Sequence, residues 1–118
     1  MDPMSEKEKD ASERDDVRHR FGAAVNMTPK DLEEWLETEE SKSVGVGEGE
    51  SVGHHSGRRI VEILRTRKDD LSDDDVDHMR KVAGYVARHS KQRPSGDVTE
   101  TRWRYSLMNW GNDPLKDA

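Results

Sequence analysis

A chain of 118 residues suits one compact domain, and 39% of its residues are charged against 30% hydrophobic, with a net charge of −6. It has no cysteine, which excludes disulfide frameworks, thiolate metal sites and cysteine nucleophiles. The longest apolar run near the start, Phe21 to Val25, is too short for a signal-peptide core or a membrane span, so a cytoplasmic protein with no membrane association is expected.

Residues 1–16, MDPMSEKEKDASERDD, are nearly all polar or charged. Such a segment buries too little surface to offset the entropy of ordering it, and reads as a disordered acidic tail. A first helix is expected from about Asp16 to Val25, with Val17, Phe21 and Val25 at four-residue spacing.

The second start is sharper. Thr28 can cap, Pro29 takes the first helical position and Asp31 follows three residues after the cap. Leu32, Trp35 and Leu36 then give one apolar stripe that runs out near Glu40. SVGVGEGESVGHHSG, residues 43–57, is glycine-rich and reads as a loop. A third helix is expected from about Gly57 to Lys68, burying Ile60, Ile63 and Leu64. Ser72 caps the next, whose first turn Asp73-Asp74-Asp75 carries the sign that the helix dipole favours. Its core stripe is Val76, Met79, Val82, Ala83 and Val86, and it should fade before Pro94. A last helix is expected over Thr99 to Asn109, ended by Gly111 as a left-handed cap with Pro114 just beyond. On it Trp103, Leu107 and Trp110 share one face, with Arg102 and Arg104 bordering that face. A chain so poor in apolar residues needs both tryptophans in its interior. The expected fold is therefore all-α: a compact bundle of four to five helices over residues 17–118, preceded by the tail 1–16.

Catalytic patterns fail one by one. Gly45-x-Gly47 would need glycine at position 50, which is Glu50, and no strand precedes it. No Gly-Lys-Ser/Thr exists for a P-loop, and Ser56 is out of frame for a nucleophile elbow. Asp74 and His78, four apart on one helix face, make at most half a metal site. The carboxylates fall in capping turns and on outer faces, not among apolar neighbours that would raise a pKa. A non-enzymatic protein with no metal and no cofactor is expected.

Acidic residues dominate residues 1–53, whereas basic ones hold a small excess over residues 54–104. The third and fourth helices resemble a helix-turn-helix, but Asp73, Asp74, Asp75 and Asp77 would face DNA phosphates at the recognition end and oppose binding. Any DNA contact would use a composite patch for the phosphate backbone, without sequence preference: Arg58, Arg59 and Arg65, with Arg88, Lys91 and Arg93, and with Arg102 and Arg104. The alternative is a protein–protein module or homo-oligomer without a nucleic-acid role, using Tyr105, Met108 and the glycine-rich loop.

VNMTPKDLEEWLETEESKSVG, SVGHHSGRRIVEIL, DDDVDHMRKVAGYVARHSKQRP and the stretch from Val98 through Trp103 onward occur in that order. With these segments the chain resembles the domain of unknown function family 3140, over about Phe21 to Lys116. That resemblance implies a small protein with no established activity and no catalytic or metal-binding residues to carry over. It also implies the generic DNA-binding label such proteins often receive.

Overall fold

The computed structural model describes residues 3–44 and 52–116. Among them lie six α-helices and no strand: α1 (Pro3–Ala24), α2 (Pro29–Leu36), α3 (Glu39–Ser43), α4 (Val52–Leu64), α5 (Asp73–Ser90) and α6 (Arg102–Asn109). A 3-10 turn at Lys68–Asp70 joins α4 to α5.

The caps written into the sequence set the helix starts. Thr28 accepts from the Asp31 N–H at 3.1 Å. Ser72 and Asp75 bond reciprocally to each other's backbone N–H, a complete capping box. Gly111 closes α6 at φ +82°, the left-handed cap.

Several boundaries differ from expectation, each for a physical reason. Helical backbone begins at Pro3, not near Asp16, so α1 continues through most of the segment read as a disordered tail. That segment is rich in the helix formers Glu and Lys. Near its end, Arg14 pairs with Asp73 of α5, and Asp16 pairs with Arg20 one turn on. The helix expected to reach Glu40 breaks at Glu37, because Thr38 starts a new one: its hydroxyl donates to the Trp35 carbonyl at 2.7 Å and accepts from Ser41 N–H at 3.1 Å. α4 begins at Val52, inside the stretch read as a loop; the rest of that loop, residues 45–51, lies outside the described residues. Gly53 and Gly57 are four apart on the face of α4 that meets α6, and they serve close packing, not turning. A Cβ on Gly57 would come within 2.6 Å of the Asn109 carbonyl and 2.7 Å of Leu36.

The helices pair as α1 with α5 and α2 with α4, and α6 touches α2, α3, α4 and α5. The core so formed contains the expected Leu32, Leu36, Ile60, Ile63, Val76, Met79, Val82, Val86, Trp103, Leu107 and Trp110, with Trp35 and Leu64 half-buried against it. It also buries Val98, which follows a glycine-containing turn and breaks no visible pattern.

Asn109 is the polar centre of this arrangement, 1% exposed. Its Oδ1 accepts from the Trp35 indole at 2.8 Å and from the Ser41 hydroxyl at 2.5 Å, while its Nδ2 donates to the Ser41 carbonyl at 3.1 Å. One carboxamide thus ties α2, α3 and α6 together. On the other side of α6, the Trp103 indole donates to the His89 carbonyl at 2.8 Å, which also accepts from the Gln92 amide, and so ties the end of α5 to α6.

Past α6 the chain is stitched to the α1–α2 connection. The Gly111 carbonyl accepts from the Asn26 and Met27 amides at 3.1 and 3.2 Å, and Asn26 exchanges two hydrogen bonds with the Asp113 backbone. The left-handed backbone at Gly111 favours glycine, and an added Cβ there would sit 3.0 Å from Val25. Gly22, on the exposed side of α1, has nothing within 4 Å of such a Cβ. Opposite outcomes follow for one chemical change. Gly111→Ala should cost about 1–2 kcal/mol or more, whereas Gly22→Ala should gain roughly 0.5–1 kcal/mol, both measured by urea unfolding.

Candidate functional site

The eight cations of the composite patch separate into two groups. Arg104 is internal: its Nε and Nη2 grip both Asp113 oxygens at 3.1 Å, and Nη1 donates to the Thr99 carbonyl at 2.9 Å. Both members of this fork are only 19% exposed. Burial raises the Asp113 carboxyl, but the hydrogen bonds from Arg104 and the Leu115 amide outweigh it and hold that carboxyl below its ordinary value. Arg59 reaches the Asp75 carboxylate at 3.0 Å, and Arg65 reaches Glu33 at 2.6 Å. Arg58 lines a cleft between α2 and α4, beside Leu36 and Val61. Arg59, Arg65 and Arg104 are thus each paired with a carboxylate of this chain, Arg65 in an exposed pair and Arg104 in the most covered one.

The second group stays together. Lys91 and Arg93 follow the end of α5 and Arg102 opens α6, all three exposed. The Trp103–His89 hydrogen bond draws the two helix ends into one corner, and the Arg93 guanidinium lies over the Trp103 ring, 5.5 Å from its centre. Arg88, also exposed, lies a turn back with its guanidinium over Gly84.

Of the expected partner surface, most of the glycine-rich loop lies outside the described residues, and the two α6 side chains are largely covered. Met108 is buried in the core, and Tyr105 is half-buried with its ring 5.5 Å from that of Trp35. α6 is enclosed on several sides, so more than one face of it is interior.

A column of rings, unread in the sequence, runs along α5. His78, Trp110, Tyr85 and His89 stack in that order, with centres 6.3, 4.2 and 5.1 Å apart and planes within 18° of parallel. The seven- and four-residue spacings of His78, Tyr85 and His89 put them on one side of α5, which is the signal that would have found the column. His78 pairs with Ser56 of α4, Oγ to Nε2 at 2.9 Å, and not with Asp74. The Ser56 hydroxyl is 2% exposed, beyond the reach of a substrate, and no carboxylate orients His78 as a nucleophilic triad requires. Among the described residues no three His, Asp or Glu side chains gather as metal ligands, and no helix is long and apolar enough to cross a membrane.

Both histidines of the column have pKa values lowered from the ordinary 6.5: His78 by burial and then by the Arg59 charge, His89 by burial. The Nε2 of His89 is buried with no hydrogen-bond partner among the described residues. For a base whose folded pKa lies below its unfolded one, the unfolded chain binds more protons, so stability rises with pH across that interval. Thermal unfolding should therefore shift to lower temperature as pH falls below about 6.5, above the range where the carboxylates begin to titrate. His78→Gln should flatten part of that slope; an unchanged profile between pH 7 and pH 5 would contradict the burial of both rings.

The comparisons with known proteins narrow the identity and leave the role open. The model of a family described as "Protein of unknown function (DUF3140)" matches residues 20–108. The match begins one residue before the expected Phe21 and ends at Met108, short of the expected Lys116. No curated protein and no solved structure matches the chain. With three quarters of its length inside that match, and with the helical fold described above, the chain belongs to the DUF3140 family of proteins of unknown function.

Proposed function

We propose that this is a non-enzymatic DNA-associated protein that holds the phosphate backbone at the corner where α5 ends and α6 begins, through Lys91, Arg93 and Arg102. The observation that carries this reading is the charge separation along α5. Its 18 residues span about 27 Å, with Asp73, Asp74, Asp75 and Asp77 at one end and the exposed cations at the other. That length exceeds three Debye lengths, roughly 8 Å each at physiological ionic strength. The acidic end therefore does not cancel the field at the basic corner, although the molecule as a whole is anionic.

Asp97 and Glu100 stand in the turn between the two helices and keep the local excess small. Asp97 is occupied by Thr99, whose amide and hydroxyl both donate to it, at 2.9 and 2.5 Å. Weak binding without sequence preference follows, since three cations and no side chain poised for base edges give positioning and not readout.

Three phosphate contacts predict that the logarithm of the binding constant falls against the logarithm of salt with a slope of about −2.7. In a titration of a labelled duplex at low salt, Lys91→Glu with Arg102→Glu should weaken binding equally for unrelated sequences. Arg65→Glu, whose partner is Glu33, should leave binding unchanged. No complex at micromolar protein in low salt, beside a control protein of similar pI, would overturn the reading.

A further inference from the structure

Among the described residues, the Nε2 of His89 is the one buried side-chain nitrogen or oxygen that no partner satisfies. The His89 ring lies against Tyr85, centres 5.1 Å apart; Tyr85 in turn stacks on Trp110 at 4.2 Å and is hydrogen-bonded to Ser106 of α6. The His89 carbonyl meanwhile accepts from the Trp103 indole at 2.8 Å, which holds the backbone of this residue at the corner where Arg102 opens α6.

A neutral imidazole is tolerated in this position, because it has one N–H and that hydrogen fits on Nδ1. An imidazolium is not. Both of its nitrogens are donors, and a buried charged N–H facing no acceptor costs more than an unused neutral nitrogen. Burial accordingly lowers the His89 pKa. The ionisable groups around the end of α5 are Tyr85 and Arg88 on the helix, Lys91 and Arg93 after it, Asp97 and Glu100 in the turn, and Arg102 and Arg104 on α6. Thr99 occupies Asp97 and Asp113 occupies Arg104, and none of these groups bonds to Nε2. Positive groups outnumber negative ones there, so nothing draws an imidazolium inward. Outside, the same charge is favoured: His89 lies in the last turn of α5, where the helix dipole prefers a cation.

We propose that His89 is a fourth phosphate-contacting cation of the corner, stored as a neutral ring against Tyr85 and turned outward beside Lys91, Arg93 and Arg102 when it takes up a proton. The inference rests on the DNA reading above and adds a dependence on pH to it. By linkage, phosphate at the corner raises the proton affinity of His89 by the same factor as the proton raises the affinity for phosphate.

Two measurements on the full chain test it. In an NMR titration without nucleic acid, His89 should take up its proton below about pH 6.5, and the Tyr85 ring signals should shift with the same midpoint as the stack is lost. The Trp103 indole signal should stay in place, because its acceptor is backbone. Duplex titrations at fixed ionic strength should show binding about two- to fivefold tighter near pH 5.5 than near pH 7.5, the range of one exposed ion pair. The salt slope should steepen from about −2.7 to about −3.6. His89→Gln, uncharged at both pH values, should bind like the native protein near pH 7.5 and lose the gain. His19→Gln, at an exposed position of α1, should keep it. A His89 that stays neutral down to about pH 5, or that charges with the Tyr85 signals unmoved, overturns the release of the ring. A gain that survives His89→Gln overturns the contact. Absence of DNA binding at either pH removes the corner itself, and the fourth contact with it, even where the ring is seen to leave.

Discussion

The fold depends on one short helix being satisfied on every side. α6 has eight residues, yet it touches four of the other five helices and carries both of the buried tryptophans, Trp110 as its cap residue. A chain with 30% hydrophobic residues cannot fill an interior with aliphatic side chains alone. It uses large rings instead, and rings with polar atoms must find partners when buried. Trp103 finds the His89 carbonyl, and Trp35, packed at the rim, finds Asn109. Trp110 is held by stacking between His78 and Tyr85. The Asn109 carboxamide is affordable inside because both of its ends are bonded.

The same economy governs the arginines. Where an arginine stands near the core, an internal carboxylate takes it: Asp113 for Arg104, Asp75 for Arg59. Asp75 does double duty, since it also completes the Ser72 capping box; the Ser72 backbone bond, more than the Arg59 charge, lowers its pKa. Among the exposed cations, Lys91 and Arg93 stand at the end of α5, where the helix dipole favours them, and Arg102 opens α6.

Helix type and core membership were legible because they rest on short-range rules. Ser72, Thr28 and Gly111 announce their roles through local chemistry, and a three- to four-residue apolar period picks out Leu32, Ile60, Val82 and Leu107 without knowledge of neighbours. What failed depended on distant partners. Gly53 and Gly57 read as turn residues because their reason, the close passage of Asn109 and Leu36, is more than fifty or twenty residues away in sequence. The Arg104–Asp113 fork gave no signal because Asp113 lies beyond the helix end, across the Gly111 turn. The burial of Met108 gave no signal because it depends on α6 being enclosed on more than one side. Ser41 and Ser56 carry no sequence signal for burial at all; each is interior because a long-range acceptor or donor waits for it.

Native-state hydrogen exchange of the α6 backbone amides is the most direct probe of its central place. If α6 organises the interior, the amides of Tyr105 through Asn109 exchange only by global unfolding, with the same opening free energy as the most protected amides of α5. Opening of α6 at a clearly lower free energy, while α1, α4 and α5 remain protected, would show a helix docked on a finished core and contradict the role given to it here.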